Sequence, residues 1–352
     1  MRHVVLSLTL LLALTACTGT SEPELAFKLV VQDQTADARV QLKAFKVLTD
    51  LTALTPLEVD GVATGLQNTQ TGTYLFAGFE NRVDVYVGDP DAESGLKLSR
   101  SFATGDSGVF KIDDCADPVK LSRPSLSPAE NVLVVLGQCG TSDSKQRLWT
   151  INLNVGTPAS WTPVAIWSNL VTPIKFFAAG NDRVFFAQEN AASKDFTLNA
   201  VSYTFPFDRE TSGAKTLPTT LKGLEVWKGS LRYSDGSKVR TIKTLTTLET
   251  ADLVTYPATS LIRKQTQLLA VGKDVSTACL LDDSPACDSG ADVIQLAGVQ
   301  DVTFDLNGYA WMVAGASGSF SLYRVDIVAA NKQAEFKAGS LKNARGVAWL
   351  VD

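Results

Sequence analysis

Histidine is nearly missing from this 352-residue sequence, the single one being His3. It falls in a segment with the features of a removable leader, so the mature chain is expected to have no imidazole, the commonest general base and metal ligand. Nucleophilic chemistry of the Ser-His-Asp kind is excluded with it. Gly105, Asp106, Ser107 and Gly108 spell the stretch found around such a serine, and they read here as a polar turn. A surplus of positive charge is missing too: 32 basic and 37 acidic residues are spread along the chain, giving a net charge of −5. No footprint for a phosphate backbone results, and no nucleic-acid partner is expected. Gly272 and Lys273 lack the upstream glycine and the following Ser or Thr of a phosphate loop. Helical periodicity is scarce, and beyond residue 16 no apolar run approaches the roughly 20 residues of a membrane span. At 45% apolar and 20% charged residues, the chain is too apolar for disorder and can build one large core or two ordinary ones.

What is present begins with an address. Met1, Arg2 and His3 precede an apolar run over residues 4–16, broken only by Ser7, Thr9 and Thr15 and ending at Cys17. A basic start, a short apolar stretch and small residues before a cut make an export signal. Leu14, Thr15, Ala16 and Cys17 resemble the bacterial lipobox. That resemblance implies cleavage before Cys17 and a diacylated, palmitate-bearing cysteine as the first mature residue. The chain then divides into a signal peptide at 1–16, a flexible tether at 17–24 and a folded domain at 25–352. Thr18 is not the aspartate that retains Gram-negative lipoproteins at the inner membrane. The resemblance therefore implies an extracytoplasmic, lipid-anchored protein of the cell envelope, at the outer membrane where there is one.

Four cysteines remain, Cys115, Cys139, Cys279 and Cys287, an even number suited to an oxidising compartment. Three connectivities are open. The local pairs Cys115 with Cys139 and Cys279 with Cys287 close the smallest loops, and loop entropy assigns them about 3.5 and about 2.6 kcal/mol. The rival is a four-thiolate zinc site, for which the C-x-x-C spacing is lacking.

Short β-branched and aromatic runs separated by turn residues recur along the domain, clearest at 74–79, 83–87, 132–137, 148–153, 184–188, 198–205, 267–271, 310–314 and 321–327. Strands that follow a turn begin near Thr73, Val132, Arg183, Leu231, Gln267 and Tyr309, spacings around the 40 to 50 residues of a four-stranded propeller blade. The class is all-β. Six such repeats account for residues 59–341, leaving one strand at 346–351 and two near 26–31 and 39–47. A seventh blade built from both termini uses these leftovers and seals the open edges, so seven blades are preferred over six. Two β-sandwiches are the competing architecture.

Residues 302–327, VTFDLNGYAWMVAGASGSFSLYRVDI, resemble a repeat of NHL-type or lactonase-type propellers, and NARGVAWLVD at 343–352 resembles the inner strand opening another. Residues 126–153 are similar to the Ser-Pro-Asp-Gly repeats of TolB-like propellers, with Ala129 and Glu130 where Asp and Gly stand in that family. These resemblances imply a fold and leave activity open.

Carboxylates remain for metal or acid and base work. Asp282, Asp283, Asp288 and Asp292 surround the Cys279 to Cys287 turn and are weak calcium candidates. Asp84, Asp89, Asp91 and Glu93 form a second loop cluster, and Asp113, Asp114 and Asp117 flank Cys115. Acidic turns ordinarily serve only to solvate loops. Of the six tryptophans, Trp149, Trp167, Trp311 and Trp349 fall in strand patterns expected to pack between blades, whereas Trp161 and Trp227, near polar loops, are the candidates for an exposed sugar or peptide platform. The leading expectation is a lipid-anchored binding or assembly module of the envelope, with a protein or glycan partner and no catalytic residue assigned. The alternatives are a carboxylate- and metal-dependent lactonase or related hydrolase, and a purely structural protein.

Overall fold

A computed structural model describes residues 27–351 except 49, 106–107, 141, 170–171, 273–276 and 288–289. Cys17, Thr18, Asp106, Ser107, Lys273 and Asp288 therefore lie outside the described residues. The described strands form seven antiparallel sheets in a ring, a seven-bladed β-propeller. The two-sandwich alternative is set aside, and no helix among these residues is long and apolar enough to cross a membrane.

Each blade is a meander whose first strand is innermost. Those strands are Ala63–Asn68, Ser125–Leu126, Ile174–Ala179, Gly223–Trp227, Ala258–Lys264, Val299–Phe304 and Ala344–Leu350. The second strands of the first six blades start at Leu75, Val132, Arg183, Ser230, Gln267 and Tyr309, where the sequence pattern places them. The reason is burial. A second strand has a neighbouring blade against each face, so it reads as an unbroken apolar run, and Leu75–Phe79 is buried at every position. Outer strands such as Arg209–Thr211 and Glu249–Thr255 are mostly solvated and leave little apolar signal. One run needs correction. The stretch 198–205 is not one strand: Phe196–Ser202 ends, and the chain leaves the sheet through a turn containing Phe205 and Phe207 before Arg209–Thr211.

In the sixth blade, Asp305 organises the turn to the second strand. One carboxylate oxygen accepts the Asn307 and Tyr309 amides at 2.8 and 3.0 Å, and the other accepts Trp311 Nε1 at 2.7 Å. The spacing Asp-x-x-Gly followed by a Trp three residues on is thus one hydrogen-bonded unit.

The seventh blade joins the ends of the chain. Phe27–Ala36 pairs with Arg39–Val47 on one edge and with Ala344–Leu350 on the other, Lys28 opposite Leu350 and Val31 opposite Val347. Leu51–Ala53 and Leu57–Asp60 complete it on the outside. Asp33, fully buried, accepts the Lys342 and Asn343 amides at 2.9 and 2.8 Å and pairs with Lys43 at 2.7 Å, fixing the entry to the last strand.

Apolar packing is divided among seven clusters, one in each seam between adjacent blades. Trp149, Trp311 and Trp349 pack there as expected. Trp161 and Trp227 do as well, contrary to the platform reading, being 2% and 1% exposed. Trp161 stacks edge-on to Tyr74 at 5.2 Å in the seam between blades one and two, and Trp227 donates its indole N–H to the Thr266 carbonyl at 2.8 Å. Trp227 ends the inner strand Gly223–Trp227 just before a hairpin turn, and Trp161 follows the short turn Pro158–Ser160, so proximity in sequence to polar residues did not translate into exposure. Two disulfides, Cys115–Cys139 and Cys279–Cys287, tie loops to the second and fifth blades.

Candidate functional site

Inner strands, and the segment leading into that of the second blade, carry the charged groups that meet around the axis. Asp301 of the sixth blade is fully buried and accepts Arg123 Nη2 at 2.7 Å and the Val347 amide at 2.9 Å, while Lys264 Nζ lies 3.3 Å away. Lys264, equally buried, also donates to the Leu66 carbonyl at 2.6 Å and the Val347 carbonyl at 3.1 Å. Through these contacts the two side chains cross-link five blades, the first, second, fifth, sixth and seventh. Arg123 reaches them across Gly65, whose φ of +137° suits glycine and where a Cβ would stand 2.8 Å from Arg123 Cδ. Beside this cluster, Arg263 donates to the Leu126 and Gln265 carbonyls and sits 3.6 Å from Glu225. Burial pushes Glu225 up to about 7 against the pull of Arg263, and burial brings Lys264 down to about 7 against the pull of Asp301. A cavity of about 160 Å³ lies here, walled by Gln67, Arg123, Ser125, Phe177, Glu225 and Arg263.

A larger groove, about 600 Å³, opens at one end of the ring between blades two and three. It is built from the connections between first and second strands (Asn131, Asn181, Asp182) and between third and fourth strands (Asn152, Asn154, and residues 203–207). In an antiparallel meander both kinds of connection fall at the same end. Phe205 stands 80% exposed and meets Phe207 edge-on at 5.7 Å. Beneath them Tyr203 is anchored by its hydroxyl donating to the Gly180 carbonyl at 3.1 Å, and burial holds its phenol well above the ordinary range. Three asparagines use their carbonyl oxygens locally: Asn131 accepts from Ser127, Asn152 from the Asn154 amide, and Asn181 from the Ala129 amide. The amide NH2 of each is the group left to meet a ligand. Phe27 begins the second strand of its blade and so stands at this same end.

Among the described residues the acidic clusters do not converge. Asp292 pairs with Lys332 at 2.9 Å, Asp283 with Lys228 at 2.8 Å, and Asp282 accepts the Ser284 amide. Asp84 is buried and paired with Arg82, Asp89 accepts the Asp91 amide, and Asp113 pairs with Arg147. Among the described residues no three acidic, cysteine or histidine side chains come together as a metal would need. The axial groups Arg123, Glu225, Arg263, Lys264 and Asp301 belong to no motif in the sequence. Their one signal was charge inside apolar strands, as in Ala258–Lys264 and Val299–Phe304.

No protein-family model matches this chain, and no curated protein does. The fold defines a seven-bladed propeller, and solved structures of that shape are similar over nearly the whole domain. The periplasmic gluconolactonase of Pseudomonas aeruginosa aligns with TM-score 0.58 and 12% identity over 93% of this chain and 99% of its own. A putative 6-phosphogluconolactonase of Bacteroides fragilis gives 0.55 and 10% over 94% and 99%. Puromycin hydrolase gives 0.53 and 13% over 88% of this chain, which spans about half (54%) of that enzyme. At such identities the likeness shows the fold alone.

Proposed function

We propose that this protein is a non-catalytic binding module displayed outside the cytoplasm, which engages a macromolecular partner of the cell envelope through the groove between blades two and three. The groove carries the reading: an exposed aromatic platform rimmed by asparagine amides suits a partner presenting both apolar faces and hydrogen-bonding groups. Two disulfides support an oxidising compartment. If Cys17 is the lipidated residue, the ten positions to Phe27 reach at most about 35 Å. The groove end is then the end held near the bilayer, and the partner is a component of that same surface.

The second reading is a lactonase-like hydrolase, favoured by the fold shared with the gluconolactonases. It asks for carboxylates converging on a metal in the channel. The two channel carboxylates here face Arg123, Lys264 and Arg263 instead, a donor set that does not fit a divalent cation. The test pairs affinity capture from envelope extracts, using wild type and Phe205→Ala, with a lactone-hydrolysis screen on calcium- and zinc-loaded protein. One envelope component retained by wild type and lost by the variant supports the binding module. Metal-dependent turnover abolished by Glu225→Gln would overturn it.

A further inference from the structure

The channel cavity is chemically distinct from the groove and is independent of the reading above. We propose that it is a binding site for a small oxyanion, a carboxylate or phosphate group, held between the guanidinium groups of Arg123 and Arg263.

Two guanidiniums, Arg123 and Arg263, and one carboxylate, Glu225, line the space, so positive charge is in excess. Asp301 is saturated by Arg123, Lys264 and the Val347 amide, and offers nothing further to the cavity. The guanidiniums are not saturated. Arg123 uses Nη2 on Asp301 and the Leu66 carbonyl, and its buried Nε has no hydrogen-bond partner. Arg263, whose side chain is 5% exposed, uses Nη1 and Nη2 on backbone carbonyls, and its buried Nε makes no hydrogen bond, its nearest acceptor being the ion-paired Glu225 carboxylate at 3.6 Å. Buried donors of this kind are costly to leave unmade. Both line the same cavity, whose 160 Å³ corresponds to about five waters, room for an anion of about four to six heavy atoms. An oxyanion there supplies acceptors to two charged donors at once, the bond type in which arginine is strongest. Gln67 and Ser125 add polar wall, and Phe177 closes an apolar side against the ligand's carbon or ester portion.

Glu225 is the built-in competitor. It faces Arg263 at 3.6 Å and lies in the field of Arg123 and Lys264, while Arg263 is also in the field of Glu130 and Tyr203. Protonating Glu225 removes the repulsion, and protonating Lys264 adds attraction. With both groups brought to about 7 by burial, each acts in the same direction: affinity rises as pH falls through neutrality.

The test is isothermal titration of the purified protein with sodium acetate and, separately, inorganic phosphate, at pH 6.0 and 8.5 and constant ionic strength set with chloride. Saturable binding of at least one anion, about tenfold tighter at pH 6.0 for acetate, is expected; the tighter arm tells a carboxylate ligand from a phosphate. Arg263→Gln should weaken binding at least tenfold. Because that variant removes a buried cation and is at risk of misfolding, the decisive variant is Glu225→Gln, which should bind acetate several-fold more tightly than wild type at pH 8.5, a gain that misfolding does not produce. Absence of saturable binding by either anion, an equal effect of chloride, or unchanged affinity in Glu225→Gln overturns the proposal.

Discussion

Truncating Trp349 to alanine tests how the ring is closed. The residue sits on the last inner strand, Ala344–Leu350, is 1% exposed, and fills the seam between blades six and seven. Its ring meets Phe27, the first residue of the partner strand, edge-on at 5.8 Å, and its indole N–H donates to the Phe304 carbonyl of blade six at 2.7 Å. Gly72 of blade one approaches so closely that a Cβ there would lie 2.2 Å from Trp349 Cζ3. One side chain therefore touches both neighbours and both chain ends. Replacing a buried Trp with Ala costs about 3–5 kcal/mol through transfer and cavity terms. Depriving a buried carbonyl of its donor adds about 1–3 kcal/mol. A loss of about 4–8 kcal/mol is expected in urea unfolding followed by circular dichroism. Trp349→Phe keeps most of the ring and loses the N–H, so it should cost only the hydrogen-bond share, about 1–3 kcal/mol. If Trp349→Ala costs less than about 1.5 kcal/mol, or the two variants are equal, the seam does not bear on closure as argued.

Other expectations follow from the same contacts. Asp33→Ala leaves Lys43 unpaired and two amides without their acceptor, and should lower stability by about 3–5 kcal/mol, read from the urea midpoint. Deleting residues 344–352 removes the inner strand of the seventh blade and should leave no cooperative thermal transition at the wild-type temperature. Replacing Cys279 and Cys287 by serine should cost about 2.6 kcal/mol, and replacing Cys115 and Cys139 about 3.5 kcal/mol, both measured against the oxidised protein. The buried charges give stability a definite dependence on pH. Glu225 holds its proton more tightly folded, at about 7, than unfolded, near 4.5, so it makes stability fall as pH rises from about 4.5 to 7. Lys264 releases its proton more readily folded, at about 7, than unfolded, near 10.5, so it makes stability rise from about pH 7 to 10.5. Urea midpoints across pH should show the first slope shrink in Glu225→Gln and the second in Lys264→Met; slopes unchanged in both variants would count against these assignments.

Local pattern by itself determined the blades. Strands with a neighbour on each face must be apolar at nearly every position, which is why Leu75–Phe79, Val132–Cys139 and Tyr309–Ala316 stand out in a single sequence and mark a repeat. Asp305 and Trp311 announce their turn because the bonds that hold it span six residues. The unmatched strands at the two ends were enough to imply a shared blade, since open edges demand partners. Cys279 and Cys287, eight positions apart, were legible for the same reason of short range. Tertiary structure alone decided the rest. Arg123, Lys264 and Asp301 meet only because ring closure brings segments of three separate blades to one axis, and a charge inside an apolar strand does not say which distant charge it will meet. Trp161 and Trp227 look exposed in sequence and are buried, while Phe205 looks like a strand residue and is exposed. Each outcome depends on where a loop lies relative to a neighbouring blade, a relation between distant segments. Short-range hydrogen bonding and burial periodicity are written along the chain; the meeting of buried charges and the placing of aromatics on a surface arise only when the ring is shut.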